Sequence, residues 1–236
     1  MNTATNFLPF VGAIARCFRS SIGKKFIVAI TGAILISFLV GHLLGNLQIF
    51  LGRSWINGYA KHLEDLGPLL WLARIFLLVA LILHIKTTAQ LAKENRAARP
   101  KTYRENVTIQ ASKASQRMIL SGLTIFVFIL YHLAHFTLKI VDSSYNNMHD
   151  PITGGYNVYG MMVRGFNNVY VSGFYILAIF LLSLHVSHGF SSLFQTLGLN
   201  GRRVDPLIQL ASKAFAIAIF IGYISIPSAV LLKLLQ

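Results

Sequence analysis

The stretch Gly173–Gly198, GFYILAIFLLSLHVSHGFSSLFQTLG, decides the fold class of this sequence. It carries no charged residue, and it is longer than the roughly 20 apolar residues that a helix needs to cross a bilayer. It also holds two histidines, His185 and His188. A histidine in lipid costs free energy unless something binds it. The stretch therefore predicts a membrane-spanning helix with a functional polar site.

The rest of the chain has the same apolar character. Hydrophobic residues make up 55% of the 236 residues and charged residues only 12%, about half the charged share of a soluble domain. Apolar runs long enough to span a bilayer lie at about 26–50, 69–92, 118–141, 168–195 and 209–233. We therefore expect an all-α membrane protein, with residues 1–236 forming a single domain of five transmembrane helices.

The placement of basic residues predicts the orientation of this bundle. The formal net charge is +14, and the Lys and Arg residues concentrate before the first span and in the second and fourth connections. By the positive-inside rule, these segments face the cytoplasm. The N-terminus is then cytoplasmic and the C-terminus outside. Because the charges sit between apolar runs, we attribute them to orientation and expect no nucleic-acid binding.

Histidines occur on four of the five predicted spans. From a rise of about 1.5 Å per residue, His42 on the first span and His132 on the third lie about 24 Å and about 21 Å from the inner edge. His84 on the second span and His185 on the fourth lie about 13–15 Å from that edge. The four residues thus form an outer and an inner level.

Two imidazoles at one depth on separate helices suit one haem iron, bound axially from both sides. The pattern predicts two haems, stacked between the first four helices. The error in depth exceeds one helical turn, so His135 could replace His132 and His188 could replace His185 as a ligand. The single cysteine, Cys17, excludes a cysteine-ligated iron–sulfur cluster held by this chain alone.

The histidine-bearing segments also carry a family resemblance. They are LVGHLLGN at 39–46, LILHIKTTAQLAKENRAARP at 81–100, SGLTIFVFILYHLAHFTL at 121–138 and the stretch quoted first. In order and spacing, the chain resembles the five-helix di-haem cytochrome b subunit of succinate dehydrogenase or fumarate reductase, of the single-anchor kind. The resemblance covers about 20–235.

The resemblance implies cofactors, partners and a place in the cell. The outer haem b would be held by His42 and His132 and the inner haem b by His84 and His185. A flavoprotein subunit and an iron–sulfur subunit would dock on the cytoplasmic face, in the cytoplasmic membrane of a bacterium. This subunit would then transfer electrons between the iron–sulfur subunit and a membrane quinone, menaquinone in particular.

Quinone chemistry also requires proton transfer. Glu64 and Asp65, just before the second span on the outer side, are candidate proton-transfer residues, and His62 lies close by in sequence. An inner quinone site near Lys86 and Arg117 is the alternative. Contacts to the haem propionates are expected from three basic residues: Arg74, Lys86 and Arg117. We expect the fifth span to supply packing and no chemistry.

Two other functions remain open from the sequence. One is the cytochrome b subunit of another quinone-linked dehydrogenase, such as a hydrogenase or a formate dehydrogenase. The other is a histidine-lined transporter or metal permease, in which the histidines would line a pore. The few acidic residues within the spans and the lack of a discontinuous helix pair weigh against a transporter.

Overall fold

The computed structural model describes residues 20–97 and 118–236, and within these residues it contains helices but no strands. Five helices are long and apolar enough to cross a membrane, as expected from the sequence. They are α1 (Ser21–Leu47), α3 (Pro68–Ala97), α4 (Met118–His132) together with the π turn that continues it to Thr137, α6 (Val169–Thr196) and α7 (Asp205–Leu231). Two short helices, α2 (Arg53–Asp65) and α5 (Val158–Phe166), lie between them.

Side-chain caps mark where α1 and α6 begin, and a π turn marks the end of the third span. Ser20 precedes α1, and its hydroxyl accepts a hydrogen bond from the Gly23 amide at 3.0 Å. Asn168 precedes α6 and accepts from the amides of Tyr170 and Val171. Such caps satisfy backbone donors that a helix leaves unpaired at its N-terminus. After His132, α4 widens into a π turn, Leu133–Thr137, before the chain leaves the bundle.

The outer surface of the bundle is apolar. In the most hydrophobic window of α3 only 6% of residues are buried within the chain, against 33% in α6 and α7. Large apolar side chains such as Leu72, Ile75 and Phe76 are more than half exposed. Water would disfavour such a surface, whereas lipid tails match it. The chain is therefore an integral membrane protein in contact with the lipid bilayer.

The helices pack around α1 and α6. Helix α6 lies along α7 and also contacts α4, while α1 lies along α3 and contacts both α6 and α7. The apolar core includes Phe128, Tyr175, Ile179 and Ile226. The pairs α1–α4 and α3–α6 are not among the closely packed helix pairs of the described residues. Helices α1 and α4 carry His42 and His132, and helices α3 and α6 carry His84 and His185. Any contact between the helices of such a pair is therefore made by side chains and not by closely packed backbones.

The two short helices form a cap at one end of the bundle, which we define as residues 53–65 and 139–166. The sequence indicated only polar connections here. The structure contains helices because some side chains are buried by contacts between the two connections. The fully buried Asn57 of α2 donates to Asn157 (3.2 Å) and accepts from the Tyr159 amide (2.9 Å). Buried Asp150 forms an ion pair with Arg53 (3.3 Å).

Candidate functional site

The histidines predicted for the outer level face each other near the cap. His42 comes from the last third of α1, and His132 is the last residue of α4. Their ring centroids are 5.7 Å apart, with the ring planes nearly perpendicular at 84°. The structure thus brings together the two side chains that sequence depth had paired. At this separation and angle the two imidazoles are in an edge-to-face contact, between helices whose backbones do not pack closely.

Aromatic residues surround this outer pair. Phe38 stacks on the His42 ring, with centroids 5.3 Å apart, and Tyr223 of α7 lies 6.3 Å away. The Tyr223 hydroxyl donates to the Leu39 carbonyl at 2.7 Å, which holds α7 against α1. The fifth span therefore supplies a direct neighbour of His42 as well as packing. These rings make the outer level a largely apolar compartment.

The histidines predicted for the inner level are His84 of α3 and His185 of α6, and each contacts a neighbouring helix. The His84 Nδ1 atom lies 3.1 Å from the Thr31 hydroxyl, and the His185 Nδ1 atom lies 3.1 Å from the Ser121 hydroxyl. His84 also interacts with the Val28 backbone. A hydroxyl on Nδ1 fixes the ring orientation and makes Nε2 the nitrogen for a metal.

A glycine follows each of these hydroxyl residues and lies against the same histidine. A Cβ atom added at Gly32 would be 3.5 Å from Cε1 of His84, and one added at Gly122 would be 3.5 Å from Cε1 of His185. These distances are ordinary van der Waals contact, so any larger side chain would press on the imidazole. Small residues here let the histidine, or a flat ligand bound to it, approach the helix backbone.

Helices α1 and α4 carry the same pattern of residues. In both, a hydroxyl residue and a glycine precede the histidine of the outer level: TGAILISFLVGH at 31–42 and SGLTIFVFILYH at 121–132. Eleven residues separate hydroxyl and histidine in each, which is close to three helical turns. Hydroxyl and histidine thus share one helix face. The repeated spacing is a sequence signal of the inner level that hydropathy and histidine depth overlook.

The alternative ligands, His135 and His188, have other partners. His135 is 3% exposed, and its Nδ1 and Nε2 atoms lie 3.0 Å and 3.3 Å from the hydroxyls of Tyr175 and Tyr145. The Nε2 atom of His188 lies 3.2 Å from the Ser192 hydroxyl. Both nitrogens of His135 are therefore engaged, whereas His132 has one hydrogen-bond contact, at Nδ1, which favours His132 over His135 as a metal ligand. His185 and His188 each have one engaged nitrogen, so the choice of His185 stays a prediction.

The described residues contain no group of three or more His, Cys, Asp or Glu side chains that could hold a bare metal ion. A haem needs less from the protein, because the macrocycle itself binds the iron and only the axial positions remain. The residues present fit that requirement: His42 and His132 face each other from different helices, and His84 and His185 each have Nδ1 against a hydroxyl, which leaves Nε2 for iron. The hydroxyls of Thr31 and Ser121 add the outer-sphere contacts that such ligands commonly have.

The predicted proton-transfer residues lie at the end of α2, in the cap. Asp65 is exposed and pairs with Lys61 at 2.5 Å, and its hydrogen bond raises the pKa of that lysine. Glu64 is also exposed, and its carboxylate lies next to Gly155. An open groove of about 420 Å³ lies on the same helix, lined by Gln48, Ser54, Trp55, Gly58, Tyr59 and His62. Of the three predicted residues, His62 is the one that lines it.

The predicted propionate contacts have different surroundings. Arg74 is exposed, and its guanidinium lies over the Trp71 ring, 5.0 Å from the centroid. Lys86 is exposed on the surface of α3. Arg117 lies outside the described residues. Neither Arg74 nor Lys86 has a contact with the paired histidines.

The described residues define a class: a helical integral membrane protein with five candidate spans and a pair of histidines, His42 and His132, in ring contact between two of them. Comparison with protein-family models, with curated proteins and with solved structures finds no match to this chain.

Proposed function

We propose that this chain is a di-haem cytochrome b, the membrane anchor of a succinate dehydrogenase or fumarate reductase in the cytoplasmic membrane of a bacterium. In this role it transfers electrons between an iron–sulfur subunit and membrane quinone. The observation that carries the proposal is the contact between the rings of His42 and His132, which come from different helices. His84 and His185, each held by a hydroxyl of a neighbouring helix, are proposed as the second pair. Two imidazoles per level are what two axially ligated haems require.

The polar contacts of the inner level support haem over a transport pathway. Thr31 and Ser121 each engage Nδ1 of one histidine, so both rings are held with Nε2 as the coordinating atom. A bound haem b would supply one-electron redox chemistry at each level. The protein's own part is to hold the imidazoles, to exclude water with apolar side chains and to set the depth of each centre.

The end of the bundle opposite the cap is suited to a soluble partner. Lys25 lies at the start of α1, Arg96 at the end of α3, and Arg202 and Arg203 before α7, while Lys24 forms an ion pair with Glu94 of α3. This basic surface lies on the side that the positive-inside rule assigns to the cytoplasm. Complementary charge on an iron–sulfur subunit would steer docking there. Menaquinone would react at the other end, in the cap groove that His62 lines.

The experiment is a haem assay on the complex purified from membranes, with dithionite-reduced minus oxidised spectra and a flavin assay. We expect two b haems per chain and a co-purifying flavoprotein. His42→Ala and His132→Ala should each lose one haem, and His84→Ala and His185→Ala the other. His149→Ala, an exposed histidine of the cap, is the matched control and should retain both.

Other results would point elsewhere. Two haems with a metal-containing dehydrogenase in place of the flavoprotein would assign the chain to a hydrogenase or a formate dehydrogenase. A folded chain without haem would overturn the electron-transfer proposal and favour a histidine-lined transporter. Loss of the same haem from His42→Ala and His84→Ala would contradict the two-level pairing.

A further inference from the structure

A buried chain of hydrogen-bonding groups runs from the outer histidine pair into the cap. The Tyr175 hydroxyl lies 3.4 Å from Nδ1 of His132, at the long end of the hydrogen-bond range, and 3.0 Å from Nδ1 of His135. The Tyr145 hydroxyl lies 3.3 Å from Nε2 of His135. Tyr145, His135 and Tyr175 are 1%, 3% and 5% exposed. Buried polar side chains require hydrogen-bond partners, and these three side chains provide them for one another.

The backbone is shaped to place His135 in this chain. The π turn Leu133–Thr137 begins directly after His132, and the Leu138 amide donates to the Leu133 carbonyl at 2.7 Å. A π turn is a rare, wider turn that is found frequently at functional sites. Here it separates two histidines only three residues apart in sequence, so that both contact the Tyr175 hydroxyl from different directions.

Helix α5 closes the chain off from water. A Cβ atom added at Gly165 would lie 2.8 Å from the Tyr145 hydroxyl and 3.0 Å from Cε1 of His135. Those distances are too short for any side chain, so only glycine fits. The rings of Phe136 and Phe166 pack beside the same groups, 5.6 Å apart. The polar chain therefore sits in an apolar enclosure, where each hydrogen bond has a large effect on the next.

Iron ligation by His132 would fix the donor and the acceptor of each hydrogen bond from His132 to Tyr145. A neutral imidazole that binds iron through Nε2 carries its proton on Nδ1. His132 then donates to the Tyr175 oxygen, and the Tyr175 hydroxyl proton must go to Nδ1 of His135. His135 in turn carries its proton on Nε2 and donates to Tyr145. All three hydrogen bonds then run from the ligand toward the cap, and each has one donor and one acceptor.

We propose that His135 is a positioning residue for the outer haem site. It holds the Tyr175 hydroxyl as an acceptor for the Nδ1 proton of His132, and so fixes the tautomer and ring orientation of that ligand. An acceptor on Nδ1 makes the imidazole a stronger donor to the metal and favours the oxidised iron. Removal of the acceptor therefore raises the midpoint potential of the outer centre. This inference rests on the proposed function.

The test is a redox titration followed by haem absorbance, which does not depend on enzyme activity. A His84→Ala background leaves the outer centre alone in the spectrum. Tyr175→Phe removes one hydroxyl and keeps the ring, so it preserves the packing. His135→Phe removes both nitrogens, whereas His135→Asn retains an acceptor and a donor. Tyr131→Phe is the matched control, because its ring lies 5.6 Å from the His135 ring but its hydroxyl is outside the chain.

We expect Tyr175→Phe and His135→Phe to retain the outer haem with a raised midpoint potential. His135→Asn should return the potential toward the wild-type value, and Tyr131→Phe should leave it unchanged. An unchanged potential in Tyr175→Phe overturns the inference while the proposed function stands. So does loss of the outer haem from His135→Phe when His132→Ala retains it, because His135 would then be the ligand. A wild-type chain without haem overturns both proposals.

Discussion

The Thr31 hydroxyl lies 3.1 Å from Nδ1 of His84, across the interface between α1 and α3. The same hydroxyl also donates to the Ile27 carbonyl of its own helix at 2.7 Å, as threonines in membrane helices commonly do. It can donate only one proton, so toward His84 it serves as an acceptor for an Nδ1 proton. Ser121 and His185 repeat the arrangement between α4 and α6.

Thr31→Val tests this contact, because valine keeps the shape of threonine and removes the hydroxyl. We expect the inner haem to be held 10–100-fold more weakly, roughly the effect of losing such an outer-sphere partner. The measurement is the haem-to-chain ratio during dilution into haem-free detergent. Thr124→Val is the matched control, since that hydroxyl bonds only to its own helix at Leu120. Equal retention of haem in the two variants would count against a role for Thr31.

The close approach of Gly122 to His185 makes a second prediction. The branched carbons of valine at this position would occupy the space of the imidazole, whose Cε1 is already 3.5 Å from an added Cβ. Gly122→Val should therefore lose the inner haem and keep the outer one in the reduced-minus-oxidised spectrum. Gly173→Val is the control, because a Cβ there has nothing within 4 Å. A Gly122→Val chain with both haems would show that this face carries no ligand.

The buried amide of Asn57 makes a prediction about stability. Asn57→Ala removes the acceptor of the Tyr159 amide and the donor to Asn157, and a buried donor left unpaired costs about 1–3 kcal/mol. The purified protein should show a lower Tm and faster proteolysis in the cap. Asn147→Ala, at an exposed cap position, should match the wild type. A wild-type Tm for Asn57→Ala would mean that the cap does not depend on this contact.

The cap should also lose stability in acid. The Ser144 hydroxyl and the Arg164 guanidinium, which bonds at 2.8 Å, hold the pKa of Asp142 below its usual value. A carboxylate with a depressed pKa stabilises the folded state above its unfolded pKa of about 3.9, and that contribution disappears as the pH falls through the folded pKa. The Tm difference between wild type and Asp142→Asn should therefore be constant above about pH 5 and shrink below it. A difference that stays constant below that pH would contradict this.

Quinone chemistry at the cap provides the last prediction. The proposed outer site requires a proton donor near the groove, and His62 lines it while Glu64 and Asp65 lie within one turn. His62→Ala and Glu64→Gln should slow haem reduction by a menaquinol analogue, with haem content unchanged. Asp65→Asn should have the smaller effect, because Asp65 pairs with Lys61 at the surface. Equal rates in all three would place the quinone elsewhere.

The five spans were predictable because lipid contact requires long apolar runs wherever a helix crosses the membrane. The pairing of His42 with His132 was also predictable, because helical rise converts sequence position into depth. The helices α2 and α5 were not, since their burial depends on contacts such as Asn57 with Asn157, about one hundred residues apart. Local composition does not predict contacts between residues so far apart in sequence.

The choice between His132 and His135 also lay beyond sequence. Depth places both within one turn, and only the π turn and the hydroxyls of Tyr145 and Tyr175 separate their surroundings. The eleven-residue spacing singles out Thr31, but most hydroxyl residues in membrane helices bond only to their own helix. The sequence therefore did not predict the contact between Thr31 and His84. A residue becomes informative in such cases only when its partner on another helix is known.

The eleven-residue spacing on α1 and α4 also has an energetic meaning. Three helical turns rise about 16 Å, roughly half of the hydrocarbon thickness of about 30 Å. Under the proposed function, an electron passing between the two levels crosses about half of the transmembrane voltage. At 100 mV that step gains or loses about 1.2 kcal/mol, half of the value for a full crossing. The repeated spacing would thus make the direction of turnover sensitive to how strongly the membrane is energised.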